Sequence, residues 1–176
     1  MSKVKEFEVL DSSKIEGVKI IKPSVFEDHR GTLYTSFYAE EFSELVPEGV
    51  SFKHDKFSRS NHNVLRGLHG DSKSWKLVTA VFGKITQVVV DYRKDSPTYL
   101  QWESWEISDK EPMAILLPPY VGNGFYVHSE YAVYHYKLAY SGEYFDAEEQ
   151  FTIKWNDPEV NIKWPTDTPF LSKRDS

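Results

Sequence analysis

The sequence contains no cysteine, and this absence removes several functional classes at once. A disulfide-linked scaffold, a thiolate nucleophile and a cysteine-ligated zinc site all need that residue. The chain also lacks an uninterrupted apolar run of the roughly 18 residues that a membrane-spanning helix requires. Residues 1–8 contain no apolar signal core. We therefore expect a soluble, cytoplasmic protein that does not act in a membrane.

Positive charge is also in short supply. The chain has 21 Lys and Arg residues against 27 Asp and Glu residues, which gives a net charge of −6. A general nucleic-acid-binding surface needs an excess of basic residues, so we expect no nucleic-acid partner. An anionic ligand would have to be held in a local basic pocket inside an acidic protein.

What the sequence does contain is typical of a globular protein. Its 176 residues are 40% hydrophobic and 27% charged, which predicts a single domain spanning residues 1–176. Aromatic residues are abundant, with 5 Trp, 11 Tyr and 11 Phe. Aromatic side chains favour β-sheets, and they also line pockets that bind flat rings.

The local pattern is dominated by short strands. One short helix is predicted at residues 39–45, before Pro47 and Gly49. Gly83-Lys84 is typical of a hairpin turn between two strands. Short strands separated by turns favour an all-β antiparallel sandwich or barrel such as a jelly roll, whereas an immunoglobulin-like sandwich would usually carry a cysteine pair. The predicted strands are residues 18–21, 32–37, 64–68, 76–82, 85–92, 99–107, 114–117, 124–128, 131–138 and 150–155.

Residues 63–69 (Asn-Val-Leu-Arg-Gly-Leu-His) are the most informative segment of the sequence. Arg66 can bind a phosphate through its planar guanidinium. His69 titrates near neutral pH and can therefore accept and return a proton. Lys76, a little further along, can face a developing oxyanion. Together these residue types predict proton transfer on an anionic ligand.

A structural role for His69 on a strand surface is the alternative interpretation. Strict alternation along a strand places Arg66 and His69 on opposite faces. Both can serve one pocket only if Gly67 allows a β-bulge or if Arg66 lies at the mouth of the strand.

The histidine spacing gives no support for a metal site. No pair shows His-x-His or His-x-x-x-His spacing, and we therefore predict no bound metal. The six histidines are His29, His54, His62, His69, His128 and His135.

Two further residues are candidates for acid–base chemistry. Tyr136 shares one face of its predicted strand with Tyr134, where a tyrosine is more often packing than catalytic. Its hydroxyl would nevertheless be a well-positioned acid for a carbanion. Asp175 is one residue from the end of the sequence, where chains usually fray, although Phe170 and Leu171 could hold the segment in place.

Taken together, these segments resemble the dTDP-4-dehydrorhamnose 3,5-epimerases, a family of metal-free, cupin-type jelly rolls that act on nucleotide-linked 4-keto sugars. The resemblance extends from about residue 18 to residue 175, and its motifs occur in the family's order. They are residues 26–31 (Phe-Glu-Asp-His-Arg-Gly), 58–60 (Ser-Arg-Ser), 64–69 (Val-Leu-Arg-Gly-Leu-His), 76–78, 88–93, 96–99, 124–125, 136–137, 155–158 and 171–175.

The resemblance implies a role for each matched residue. His69 would be the catalytic base, and Asp175 would orient it. Lys76 would lie beside the C4 oxygen of the sugar, and Tyr136 would be the acid on the opposite face of the sugar. Two arginines would bind the nucleotide part of the substrate: Arg66 would contact the pyrophosphate, and Arg30 would reach the nucleotide across the interface of a homodimer. No cofactor is implied.

The sequence departs from the family pattern where the substrate would be contacted. Asn123 replaces the histidine of the usual His-Gly-Phe, and His54-Asp55-Lys56 replaces Gln-Asp-Asn. Residues 139–144 also differ, and the segment between His69 and Lys76 is shorter than is typical. We take Asn123, His54 and Arg59 as further candidate substrate-binding residues. The pattern is closest to a branch that acts on GDP-linked 4-keto-6-deoxy-heptoses for bacterial capsules.

We therefore expect an all-β, cupin-like jelly-roll barrel with a few short helices. The expected activity is epimerisation at C3, C5 or both in a nucleotide-linked 4-keto-6-deoxy sugar. The expected role is the synthesis of bacterial surface polysaccharides. Three other functions stay open at this point. They are a jelly roll that binds a nucleotide sugar without chemistry, a cupin 3,4-ketoisomerase and a metal-dependent oxygenase.

Overall fold

The computed structural model describes residues 6–176 and confirms the all-β prediction. One short α-helix, α1 (Ala39–Phe42), continues into a 3₁₀ turn at Ser43–Leu45, as the helix prediction for residues 39–45 anticipated. No helix within residues 6–176 has the length and apolar character needed to cross a membrane. The strands are β1 (Phe7–Asp11), β2 (Lys19–Pro23), β3 (Val25–Asp28), β4 (Gly31–Tyr34), β5 (Ser51–Asn61), β6 (Leu65–Gly70), β7 (Trp75–Phe82), β8 (Lys84–Asp91), β9 (Trp102–Ser108), β10 (Ala114–Leu117), β11 (Val121–Val127), β12 (Tyr131–Tyr140) and β13 (Phe151–Thr152).

Two antiparallel sheets form the body of the molecule. The six-stranded sheet has the order β1-β2-β10-β7-β12-β5, and the five-stranded sheet has the order β13-β6-β11-β8-β9. Strands β3 and β4 form a separate two-stranded hairpin. The main core lies between the two large sheets, where Phe125 of β11 stacks on Tyr134 of β12 with ring centroids 4.0 Å apart. Burying apolar side chains between the sheets is the main force that holds them face to face.

The hairpin predicted at Gly83-Lys84 is wrong. Strands β7 and β8 follow each other with only Gly83 between them, yet they belong to different sheets. Gly83 has a φ of +81°, and a Cβ at this position would lie 2.4 Å from the carbonyl oxygen of Tyr131. Glycine therefore lets the chain cross between the sheets at a point where a hairpin would have kept both strands in one.

Strand β5 is the longest strand and was not predicted. Its residues alternate in exposure, with Phe52, His54, Lys56, Ser58 and Ser60 on the less exposed side. Four of these five side chains are polar, so the strand lacks the alternation of apolar and polar residues that identifies a half-buried strand.

A β-bulge in β6 answers the question of whether Arg66 and His69 can share a face. Phe125 of β11 pairs with Arg66, and Asn123 pairs with His69, so two residues of β6 stand opposite one residue of β11. The extra residue shifts the alternation by one position and turns both side chains to the same side. Gly67 makes this possible, because it has a φ of +114° and a Cβ there would lie 2.5 Å from the carbonyl oxygen of Asn123.

Replacing Gly67 with alanine tests this constraint. We expect a loss of about 2–4 kcal/mol in the free energy of unfolding, because strain at positive φ adds to an overlap with β11. Gly142→Ala is the matched control, since Gly142 also has a positive φ (+68°) but has open space around it. The control should cost only about 1 kcal/mol. Urea unfolding of both variants measures the difference, and equal losses would contradict the role of the close approach to β11.

Candidate active site

A cavity of about 270 Å³ opens between the two large sheets. His69, Arg66 and Asn123 reach it from the five-stranded sheet, and Tyr136 and Lys76 reach it from the six-stranded sheet. The structure therefore brings together, from four strands, five residues that the sequence patterns singled out. The other residues that line the cavity are Lys56, Phe57, Ser58, Gly67, Phe125, Leu138, Tyr144, Asp146, Ala147, Gln150 and Arg174.

His69, which lines the cavity, is hydrogen-bonded to Asp175. Nε2 of His69 lies 2.6 Å from Oδ1 of Asp175, and the carboxylate also accepts hydrogen bonds from the hydroxyl of Ser172 (3.0 Å) and the N–H of Gly67 (3.4 Å). Because a carboxylate only accepts, Nε2 of a neutral His69 carries the proton and donates it. Within residues 6–176 nothing pairs with Nδ1, so that nitrogen keeps a lone pair available to take a proton.

Asp175 is held as a carboxylate by its partners. Burial raises the pKa of Asp175, but the hydrogen bond and charge of His69, with help from Ser172 and the Gly67 N–H, outweigh burial and hold the pKa below its usual value. Only 6% of Asp175 is exposed, so the expectation of a frayed end does not apply here.

The C-terminal segment reaches this position by pairing with the chain just before β6. Phe170 donates its N–H to the carbonyl of Asn63 (2.8 Å) and accepts from the N–H of Leu65 (3.0 Å). The side chain of Asn63 adds a hydrogen bond to the carbonyl of Thr168 (2.8 Å). The ring of Phe170 itself is 66% exposed, so backbone hydrogen bonds, rather than the apolar side chain, hold the segment in place.

Lys76 is a buried cation at the inner end of the cavity. Its Nζ lies 3.6 Å from Oδ2 of Asp71, whose other oxygen accepts the N–H groups of Lys73 (2.9 Å) and Ser74 (2.6 Å). Burial lowers the pKa of Lys76, and the Asp71 carboxylate works against that shift. A poorly hydrated ammonium acts strongly on a nearby negative charge, because water does not screen it.

Tyr136 faces the cavity from β12. Burial raises the pKa of its phenol, an effect that the positive charge of Arg66 only partly offsets. The hydroxyl is therefore protonated at neutral pH, as a proton donor must be. The edge of the Tyr136 ring packs on Tyr134 with centroids 4.6 Å apart, which fixes its orientation.

Arg66 lies at the open end of the cavity. Its Nε donates to the hydroxyl of Ser60 (2.8 Å), which directs the guanidinium. In the described part of the chain the terminal nitrogens of Arg66 have no carboxylate partner. They are available to bind an anionic oxygen.

Asn123 presents an oriented amide to the cavity. The amide of Gln87 donates to the carbonyl of Val88 (3.1 Å) and to Oδ1 of Asn123 (2.7 Å), and Tyr134 donates to both amide oxygens. These contacts occupy the oxygen of Asn123 and leave its NH₂ group, which has no partner in residues 6–176, as a donor.

Three predicted binding residues lie outside the cavity of their own chain. Arg30 is on the exposed β3–β4 hairpin, where it pairs with Asp28 (2.5 Å). Arg59 is on the face of β5 that points away from the cavity, and its guanidinium covers the ring of Tyr131 at 4.2 Å. His54 is adjacent to the cavity, because its ring packs edge-on against Tyr144 with centroids 4.7 Å apart.

The sequence patterns missed several cavity residues, among them Lys56, Tyr144 and Arg174. Lys56 belongs to strand β5, which was not predicted. The sequence therefore contained no sign that Lys56 lies on the same face as Ser58 and Ser60. Arg174 directly precedes Asp175 and donates from Nε to the hydroxyl of Thr152 (3.2 Å). Arg174 lies within the family motif at residues 171–175, but the motif alone did not assign it a role.

Within residues 6–176, no group of three His, Asp or Glu side chains is arranged so that it could hold a metal ion.

Comparisons with known proteins point to one family. The family model for dTDP-4-dehydrorhamnose 3,5-epimerase matches residues 12–176. The dTDP-4-dehydrorhamnose 3,5-epimerase of Salmonella typhimurium is 36% identical over 172 residues, which is 96% of this chain and 92% of that protein.

Solved structures show the same fold. The dTDP-6-deoxy-D-glucose-3,5-epimerase of Legionella pneumophila, in complex with dTDP-4-keto-L-rhamnose, superposes with a TM-score of 0.87 at 36% identity, over 96% of this chain and 89% of that one. A 4-keto-6-deoxy sugar epimerase from the novobiocin gene cluster of Streptomyces spheroides also gives 0.87, at 33% identity, over 99% and 87% of the two chains.

The pKa of Asp175 leads to a prediction about pH. Asp175→Asn should lower the free energy of unfolding at pH 7 by about 1–3 kcal/mol, because a charge-assisted hydrogen bond is lost. The folded pKa is depressed, so this contribution is complete above about pH 4 and is lost as the pH falls through the folded value. The gap between variant and wild type should therefore shrink at acid pH.

Urea unfolding between pH 7 and about pH 2 measures this gap, because the range then extends below the depressed pKa of Asp175. Asp167→Asn, at an exposed carboxylate of the same segment, is the control and should have little effect at any pH. A gap for Asp175→Asn that stays constant across the pH range would contradict the assignment.

Proposed function

The chain belongs to the dTDP-4-dehydrorhamnose 3,5-epimerase family, whose members are isomerases, and on that premise we propose that it inverts C3, C5 or both in a nucleotide-linked 4-keto-6-deoxy sugar. One observation carries the proposal. His69, which is hydrogen-bonded to Asp175, and Tyr136 line one cavity from facing sheets, with Lys76 at its inner end. The substrate would be a dTDP-linked hexose, as the names of the relatives indicate, or a GDP-linked heptose.

The first step is removal of a proton next to the ketone. A carbonyl at C4 acidifies the hydrogens on C3 and C5, because the electron pair left behind can move onto O4. Nδ1 of His69 takes the proton, and Asp175 stabilises the imidazolium that forms. A positioned base of this kind contributes roughly 10²–10⁴-fold to the rate.

Lys76 stabilises the enolate. As the C–H bond breaks, negative charge builds up on O4, and the buried ammonium of Lys76 is the cation that meets it. A preorganised donor for an oxyanion is worth about 3–4 kcal/mol.

The second step returns a proton from the other face of the sugar. The phenol of Tyr136 gives its proton to the carbon while the enolate electrons reform the ketone, which inverts the centre. Base and acid must lie on opposite faces for inversion, and His69 and Tyr136 come from opposite sheets.

The rest of the substrate requires donors at the open end. Arg66 would bind the diphosphate, the NH₂ group of Asn123 would contact the sugar, and His54 would act through Tyr144. Arg30 lies on an exposed hairpin, so it would contribute only by reaching the cavity of a second subunit in a homodimer. Arg59 also points away from the cavity of its own chain, so it would bind substrate only by reaching the cavity of a second subunit.

We further propose that the enzyme is a single domain, acts in the cytoplasm and supplies a sugar for bacterial surface polysaccharides. The product would still carry its ketone, so a reductase that acts on 4-keto sugar nucleotides would consume it.

His69→Asn should abolish exchange of solvent deuterium into C3 and C5, because Nδ1 of His69 is the proposed acceptor of the proton. Incubation with dTDP- and GDP-linked 4-keto-6-deoxy sugars in deuterated water, followed by NMR, locates the label. His62→Asn, outside the cavity, should leave exchange unchanged. Exchange at the wild-type rate in His69→Asn would remove His69 as the base. The absence of exchange in the wild type would favour a binding module, and a ketone moved to C3 would favour a ketoisomerase.

Tyr136→Phe should reduce inversion by about 10²-fold or more while sparing deuterium exchange, because the base is intact but the opposite face has lost its acid. Proton NMR of the product stereochemistry separates the two rates. Tyr131→Phe, on the same strand but stacked on Phe82 away from the cavity, is the control. Undiminished inversion in Tyr136→Phe would mean that water or another residue is the acid.

A further inference from the structure

Asn123 presents its NH₂ group to the cavity, and the cause of this orientation lies behind the cavity wall. Asn123 pairs with His69 across β11 and β6, so its side chain lies beside the proposed base. Gln87 and Tyr134 are both 0% exposed and are not among the residues that line the cavity, yet both hydrogen-bond to the Asn123 amide. Side chains that substrate cannot reach therefore hold an amide that faces it.

A main-chain carbonyl determines how Gln87 is oriented. The carbonyl of Val88 only accepts, and Nε2 of Gln87 donates to it at 3.1 Å. If the Gln87 amide were rotated by half a turn, its oxygen would face this carbonyl, and two acceptors would meet in a buried site. Val88 therefore sets which way the Gln87 amide points.

Gln87 in turn determines how Asn123 is oriented. The same NH₂ group of Gln87 donates its second proton to Oδ1 of Asn123 at 2.7 Å. A rotated Asn123 would bring its own NH₂ group against that of Gln87, and two buried donors would be left without an acceptor. The oxygen of Asn123 therefore points inward, and its NH₂ group points toward the cavity.

Tyr134 belongs to the same network but does not set its polarity. Its hydroxyl lies 2.6 Å from Oε1 of Gln87 and 3.1 Å from Oδ1 of Asn123. A hydroxyl both donates and accepts, so it would fit either orientation of Asn123. Gln87, which is tied to a main-chain carbonyl, is the partner that distinguishes the two orientations.

We infer that Gln87 is a positioning residue that holds Asn123 as a hydrogen-bond donor, so that the cavity wall beside His69 binds an acceptor oxygen of the sugar. This inference rests on the proposed function for the contact between Asn123 and the sugar, but binding measurements test it without any catalysis.

Titration calorimetry with dTDP-glucose and GDP-mannose, each compared with its nucleoside diphosphate, measures the contact with the sugar. Gln87→Met keeps the length of the side chain but removes its amide. We expect it to weaken binding of the sugar nucleotides by about threefold to tenfold and to leave binding of dTDP and GDP unchanged. Asn123→Ala should have a similar effect. When Asn123→Ala is already present, Gln87→Met should weaken binding by less than about twofold more, because it acts through Asn123.

Two further variants separate the role of Gln87 from a general loss of buried hydrogen bonds. Tyr134→Phe removes a hydroxyl from the same network and should weaken sugar-nucleotide binding less than Gln87→Met does. Thr98→Val is the matched control, because it removes a hydrogen bond to Asp91 (2.6 Å) at the end of the same strand as Gln87, outside the cavity. The control should change neither affinity.

Hydrogen exchange of the side-chain NH₂ groups, followed by ¹⁵N NMR, tests the orientation in the wild-type protein. The NH₂ group of Gln87 is buried and donated twice, so it should exchange at least about tenfold more slowly than that of Asn123. Equally slow exchange of both groups would mean that the Asn123 NH₂ group points away from the cavity, and would overturn the inference.

Four binding results would also overturn it. They are unchanged binding in Gln87→Met, an equal loss for sugar nucleotide and nucleoside diphosphate, a loss that Asn123→Ala does not reduce, and a loss in Tyr134→Phe as large as in Gln87→Met. Wild-type protein that binds neither sugar nucleotide would refute both this inference and the proposed function. Deuterium exchange is measured separately, so the expected affinities without exchange would refute the proposed function alone.

Discussion

The close approach of Gly67 to β11 is the constraint on which the arrangement of the cavity depends. A regular strand would send Arg66 and His69 to opposite faces, and the bulge brings them to one. The same residue donates its N–H to Asp175, so the bulge also shapes the place where the C-terminal carboxylate lies. A side chain at position 67 would overlap the backbone of Asn123 and Gly124, the residues that form the adjacent wall. One glycine thus sets the relative positions of a cation, a histidine, its carboxylate partner and a neighbouring amide.

Positive charge is concentrated in the cavity of an otherwise acidic chain. The chain carries a net charge of −6, yet among the described residues that line the cavity four are cations (Lys56, Arg66, Lys76 and Arg174) and one is a carboxylate (Asp146). Concentrating cations in a pocket of an acidic protein attracts an anion to that pocket. Burial of Lys76 sharpens this effect at the inner end, where the proposed enolate would form.

The sequence patterns predicted much of the fold and the chemistry but little of their arrangement. Strands with a buried face, such as β7 and β8, were predicted because their apolar residues recur, whereas the crossing at Gly83 depends on a contact with Tyr131 that no local pattern contains. Strand β5 escaped prediction for a functional reason: its inner face lines a polar cavity, so it carries Lys56 and Ser58 where a packed strand would carry apolar residues. His69 and Tyr136 were identified by residue type and resemblance, whereas the position of Lys56 in the cavity wall required the fold.

The two-sheet architecture explains why this fold suits inversion. Packed sheets lie about 10 Å apart, and side chains from both sides fill that gap. A sugar ring bound between them would have one face toward β6 and the other toward β12. In the proposed reaction, His69 and Tyr136, on those two strands, would act on opposite faces of the same carbon. A site built on one sheet could remove and return a proton only from the same side, which would exchange hydrogen but leave the stereocentre as it was.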